Sequence, residues 1–143
     1  MGGTSIFRIG CIICVATWSG SALSEGALAV GVPLSVAQDG YAIGIAVNLA
    51  TADEASRKAL GWCHHLKGVS KKARSRCRLI TTFHHQCVAE ANDPKPGTSG
   101  VGWAVAADKE TAERVALANC VDTAGRGRRK RCVIASSACD TTP

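Results

Sequence analysis

The chain has 143 residues, 46% hydrophobic and 20% charged, which places it among globular proteins with room for one domain and none for two independent cores. Aromatic residues make up only 4%, which excludes a surface built mainly of rings that stack on bases or sugars. A formal net charge of +6 and eight cysteines direct attention to anionic partners and to an oxidising compartment.

Residues 9–18, IGCIICVATW, form an apolar run of leader-peptide length behind the single positive charge of Arg8, too short to span a bilayer. The stretch SGSALS follows, with small residues where a leader peptidase reads them. A cut after Ser24 uses Ala22 and Ser24 and is the preferred reading, and a cut after Ala22 is close behind. Residues 1–24 are therefore read as a signal peptide and residues 25–143 as one disulfide-stabilised domain, secreted or periplasmic, with no transmembrane segment in the mature chain. Cys11 and Cys14 leave with the leader, and neither sits in a lipid-anchoring context. The mature chain keeps six cysteines and 16 basic against 11 acidic side chains, a net of +5.

The first strand is expected near Gly26 to Val30, and the next over Tyr41 to Val47, a short apolar segment between Asp39-Gly40 and Asn48. Thr51, with Glu54 three residues on, reads as the capping box of a helix. Along that helix Ala55, Ala59, Trp62, Cys63 and Leu66 recur at three- and four-residue steps, so this face is expected to be buried on a sheet. Gly61 costs about 1 kcal/mol relative to alanine inside a helix, and a close approach to the sheet is the reading that offsets it. A strand follows at Arg76 to Ile80. The same series then recurs. Gly102 to Val105 matches Gly44 to Val47, the helix capped by Asp108 matches the one capped by Thr51, and Cys120 follows Cys63 by 57 residues. Arg131 to Ile134 matches Arg76 to Ile80, and Cys87 to Glu90 is aligned with Gly26 to Ala29. The turn holding Pro94, Pro96, Gly97 and Gly100 joins two strands.

The fold class expected from this series is α+β, two tandem ββαβ repeats of about 25–86 and 87–143 forming a largely antiparallel sheet with two packed helices. In each repeat one cysteine closes the helix and the next opens the following strand, which pairs Cys63 with Cys77 and Cys120 with Cys132. Loops of this size contribute about 3 kcal/mol by limiting the unfolded chain. Cys87 and Cys139 remain and would tie the two repeats together. Zinc is the rival use of these thiols. It lacks the Cys-x-x-Cys knuckle, and an exported chain is usually oxidised.

Several of these landmarks, namely Gly-Ala-Leu-Ala-Val at Gly26 to Val30, the Ala-x-x-x-Ala-Leu-x-x-Cys segments ending at Cys63 and Cys120, Phe-x-x-x-Cys-Val-Ala at Phe83 to Ala89, and the closing Cys139, resemble the exported bacterial domain-of-unknown-function 4189 family. The resemblance covers nearly all of the mature chain. It implies a small disulfide-linked α+β domain, exported by bacteria, with no established common catalytic activity and no catalytic residues to carry over. The long basic insertions between paired cysteines are less typical of the family.

Those insertions are the candidate site. Lys71, Lys72, Arg74 and Arg76 cluster in the first cysteine loop, and Arg126, Arg128, Arg129, Lys130 and Arg131 in the second. Placed equivalently by the repeat, they would form a field for phosphate, anionic lipid, anionic polymer or an acidic protein, against the alternative of solvated loops that keep the chain soluble. Nucleic acid is disfavoured, because no aromatic residue in these loops could stack on bases. His64-His65 and His84-His85 invite a metal, but adjacent histidines point about 100° apart on a helix and to opposite faces of a strand. No metal or cofactor is expected. There is no Gly-x-Ser-x-Gly elbow, paired cysteines leave no free thiol, and Asp53, Glu54, Asp108, Glu110 and Glu113 are better explained by helix starts than as paired acids. The reading is a small exported binding or interaction protein, an effector or inhibitor among its forms, acting on an unidentified protein or anionic surface. Its rivals are a small secreted hydrolase with a noncontiguous site and an envelope protein that binds anionic lipid or polymer.

Overall fold

The computed structural model describes residues 24–140, so all of the expected leader peptide but Ser24, with Cys11 and Cys14, lies outside the described residues. The first repeat comprises β1 (Glu25–Gly31), a single helical turn α1 (Val36–Asp39), β2 (Ala42–Leu49), α2 (Ala52–His65), a second short helix α3 (Lys71–Arg74) and β3 (Arg78–His84). The second comprises β4 (Cys87–Asn92), β5 (Val101–Ala106), α4 (Lys109–Thr123), a 3-10 turn (Arg129–Arg131) and β6 (Val133–Cys139). Each repeat closes its own three-stranded antiparallel sheet, in the orders β2-β1-β3 and β5-β4-β6. The first strand of each repeat is thus the central one.

Side chains alternate between the two faces of a strand, and these strands sort them by size. Ala27, Ala29, Ala42 and Ala46 meet Ala55, Ala59 and Cys63 of α2, while Ala89, Ala91 and Ala104 meet Ala112, Ala116 and Cys120 of α4. The opposite faces carry the larger side chains. Leu28, Val30 and Phe83 of the first sheet pack with Val88 of the second, bordered by Ile43, Ile45, Val47, Trp103, Val105 and Ala138. The layers therefore run helix, sheet, sheet, helix, and the middle apolar layer belongs to both repeats. Among the described residues no helix is long and apolar enough to cross a membrane.

Both helices start where the sequence places their caps. Thr51 Oγ1 accepts from the Glu54 amide at 3.1 Å, and Asp108 Oδ1 from the Thr111 amide at 2.8 Å. Three disulfides join Cys63 to Cys77, Cys120 to Cys132 and Cys87 to Cys139.

Four expectations are corrected. The bond between Cys87 and Cys139 does not tie the repeats together, because both cysteines lie in the second sheet, directly opposite each other on β4 and β6. The alignment of the first strands is one residue out: Ala27 pairs with Ala46 as Ala89 pairs with Ala104, so Ala27 corresponds to Ala89 and not to Val88. That slip matters, since one residue moves every side chain to the other face. Gly61 gives α2 no close approach, for a β-carbon there would meet nothing within 4 Å. The approach is made from the strands, where a β-carbon on Gly44 would overlap the Ala59 carbonyl and one on Gly102 the Ala116 carbonyl. Trp62 lies beside the buried stripe and is 53% exposed, because the face against the sheet is only as wide as Ala55, Ala59 and Cys63.

Candidate functional site

The β1–β2 and β4–β5 connections meet at one end of the molecule and enclose a cleft of about 380 Å³, lined in part by Asp39, Tyr41, Ser70, Asn92, Asp93 and Lys95. Tyr41 and Asn92 of its lining belong to a hydrogen-bonded chain between the repeats. Glu90 sits on the face of β4 turned toward the first sheet and is buried. The Tyr41 hydroxyl donates to one Glu90 oxygen and Ser136 Oγ to the other at 2.9 Å, while Asn92 Nδ2 donates to the Tyr41 oxygen at 2.9 Å. A buried carboxylate is tolerated here because both oxygens are satisfied. Burial, and then the adjacent Glu90 charge, push the Tyr41 phenol well above the ordinary tyrosine range. Tyr41 therefore stays protonated and acts as a donor.

Two basic grooves adjoin this cleft. Lys72 and Arg76 line one of them with Asp39, and Lys95, Arg128, Lys130 and Arg131 line the other with Asp93. Asp39 is common to the first groove and the cleft, and Asp93 and Lys95 to the second groove and the cleft. In the first loop Ser70 caps α3 by accepting from the Ala73 amide at 3.1 Å, and this turn displays Lys71 and Lys72 to solvent. Lys72 Nζ lies 3.6 Å from Asp39. Arg74 is half-buried, and its carbonyl is 2.9 Å from His64 Nδ1.

Arg128 has a different role from its neighbours. Its guanidinium donates from Nε and Nη2 to both oxygens of Asp93, each at 2.6 Å, and the Asp93 side chain is wholly buried. The Arg128 bonds hold the Asp93 carboxyl below the usual carboxylate range, and Asp93 in turn raises the Arg128 guanidinium. Arg128 is thus committed to anchoring the loop. Arg129, Lys130 and Arg131 form the exposed 3-10 turn that follows, and Arg126 precedes it, also exposed. Lys71, Arg74, Arg126 and Arg129 do not line the two grooves.

Sequence reasoning missed Tyr41, Glu90, Asn92, Asp93 and Lys95. Asp93 and Lys95 adjoin a turn read only as a connector, and Glu90 entered only as the end of an aligned strand segment. Its signal was an acidic residue in the central strand of a repeat, between two alanines that face a helix. The histidines do not converge: His65 Nδ1 lies near the Gly61 carbonyl and His84 Nδ1 near that of Ser24, and no group of three or more metal-ligating side chains occurs among the described residues.

A comparison with curated proteins finds no match. Among solved structures the chain is similar to the NMR structure of Rv1813c from Mycobacterium tuberculosis, at 18% identity over 97% of this chain and 94% of that one, with a TM-score of 0.43. The family comparison matches residues 26–139, a span that holds both repeats and all six paired cysteines, and the chain belongs to the family described as Domain of unknown function (DUF4189).

Proposed function

We propose that this is an exported binding protein whose cleft end takes an acidic, protruding segment of a partner protein between its two basic loops. The observation that carries the reading is that the cleft adjoins two basic grooves, one with Lys72 and Arg76 that shares Asp39 with it and one with Lys130 and Arg131 that shares Asp93 and Lys95. Arg76, Lys130 and Arg131 make no ion pair among the described residues, so their charge is available, and a concave site between like charges concentrates its field on whatever enters. The concavity favours a protruding peptide over a flat lipid surface. Tyr41 and Asn92 supply hydrogen-bonding groups within the cleft. Ser70 is engaged as a helix cap and Tyr41 is held protonated, which favours binding over nucleophilic chemistry. Three disulfides suit an exported chain, and blocking a partner through this end is what an inhibitor or effector would do.

The test is binding of the oxidised mature protein to a fluorescent polyglutamate peptide and to vesicles containing phosphatidylglycerol. Peptide binding is expected to weaken at least about tenfold in each of the doubles Lys72→Glu/Arg76→Glu and Lys130→Glu/Arg131→Glu, and to fall as salt rises from 0.05 to about 0.5 M. Vesicle binding without peptide binding, or indifference to both doubles, overturns the reading.

A further inference from the structure

Ser24 is part of the folded domain. It is 5% exposed, its hydroxyl donates to Asp140 Oδ1 at 2.5 Å, and its carbonyl oxygen lies 2.6 Å from His84 Nδ1. Asp140 itself is wholly buried, and its other donors are the backbone amides of Asn48 at 3.1 Å and His85 at 3.2 Å. Ser24 therefore supplies the one side-chain donor to this carboxylate among the described residues.

We propose that the leader peptide is removed by hydrolysis of the Ala22–Leu23 bond, so that Ser24 is retained as the hydroxyl partner of Asp140. This rests on the export reading. A leader peptidase uses one water, whose hydroxyl goes to the Ala22 carbonyl carbon and whose proton goes to the Leu23 nitrogen. Small residues satisfy the peptidase at either cut, Gly20 and Ala22 for this one, Ala22 and Ser24 for the other, so the leader chemistry does not discriminate. The fold does. A cut after Ser24 strips a buried carboxylate of its hydroxyl donor and takes the carbonyl beside His84. It also puts a new ammonium on Glu25, the first residue of the central strand, which faces Leu49 on one side and His84 on the other. A cut after Ala22 leaves that charge two residues upstream of the sheet.

The full chain is expressed with its own leader in an exporting bacterial host, and the product is read by N-terminal sequencing and by intact mass after reduction. A chain that begins at Leu23 is expected. One that begins at Glu25 leaves export standing and overturns the cut proposed here, whereas a chain that keeps residues 1–22 overturns the export reading and the proposal with it. Gly20→Trp obstructs the proposed cut but leaves Ala22 and Ser24 intact for the other. The yield of the Leu23 form should drop at least about tenfold, and an undiminished yield overturns the assignment. In the protein that begins at Leu23, Ser24→Ala should speed amide exchange at Asn48 and His85 about tenfold, and unchanged exchange removes the structural reason for keeping Ser24.

Discussion

Asp140 holds the two places where the backbone is least comfortable. Asn48 at φ 61° and His85 at φ 50° are the non-glycine residues with positive φ among the described residues, and the amides of both donate to the Asp140 carboxylate. A side chain at the end of the second repeat thereby fastens the end of β2 and the turn into β4, the tie that sequence reasoning assigned to Cys87 and Cys139. Asp140→Ala is expected to cost about 3 kcal/mol, since it strands the Asn48 and His85 amides and the Ser24 hydroxyl, and urea unfolding of the oxidised protein measures it. Asp93 is the pH-sensitive counterpart. Its carboxyl is depressed by Arg128, so the folded state binds its proton less tightly than the unfolded chain does. The contribution is complete above the ordinary aspartate range, erodes as pH falls below about 4, and is gone once pH passes the folded value. Asp93→Asn should flatten that part of the stability profile, and an unchanged acid limb in urea titrations between pH 2 and 5 contradicts the assignment.

At the scale of elements, the repeat is a helix laid on a strand stripped of side-chain bulk. Gly44 under α2 and Gly102 under α4 admit the helix backbone itself, in equivalent positions of β2 and β5. Gly44→Ala and Gly102→Ala each force a methyl group into a helix carbonyl and are expected to lose about 1–3 kcal/mol, the usual cost of overpacking. Gly61→Ala meets open space and gains helix propensity, so it should stabilise by about 1 kcal/mol. Thermal unfolding of the three variants separates a glycine that the packing requires from one that it does not. Periodicity in the sequence found both helices and their alanine stripe, and failed at Trp62, because a stripe of fixed angular width cannot say how much of it a neighbouring sheet covers. Gly61 misled for the same reason: spacing marks a glycine, and only the opposing surface says whether anything approaches it.

The whole molecule is held by the layer between its sheets. Phe83 packs there with Leu28, Val30 and Val88, its ring lying where a β-carbon on Gly26 would be. Because that layer draws on both repeats, unfolding should be a single transition, seen at the same urea concentration by far-UV circular dichroism and by the fluorescence of Trp103 at the sheet interface. Phe83→Ala should lower stability by about 3–5 kcal/mol, and two resolved transitions would show the repeats to be independent. What the amino-acid sequence by itself determined was everything carried by local order: the ββαβ repeat, the caps at Thr51 and Asp108, and the cysteines at the end of each helix and the start of the next strand, since these depend on neighbours a few residues apart. Tertiary structure decided the rest. The correspondence of β1 with β4, the partition into two sheets, the burial of Glu90 and Asp140, the capture of Arg128 by Asp93 and the gathering of two basic grooves beside one cleft all depend on groups brought together from distant parts of the chain. Their energies come from desolvation and through-space charge, quantities that have no period in the sequence.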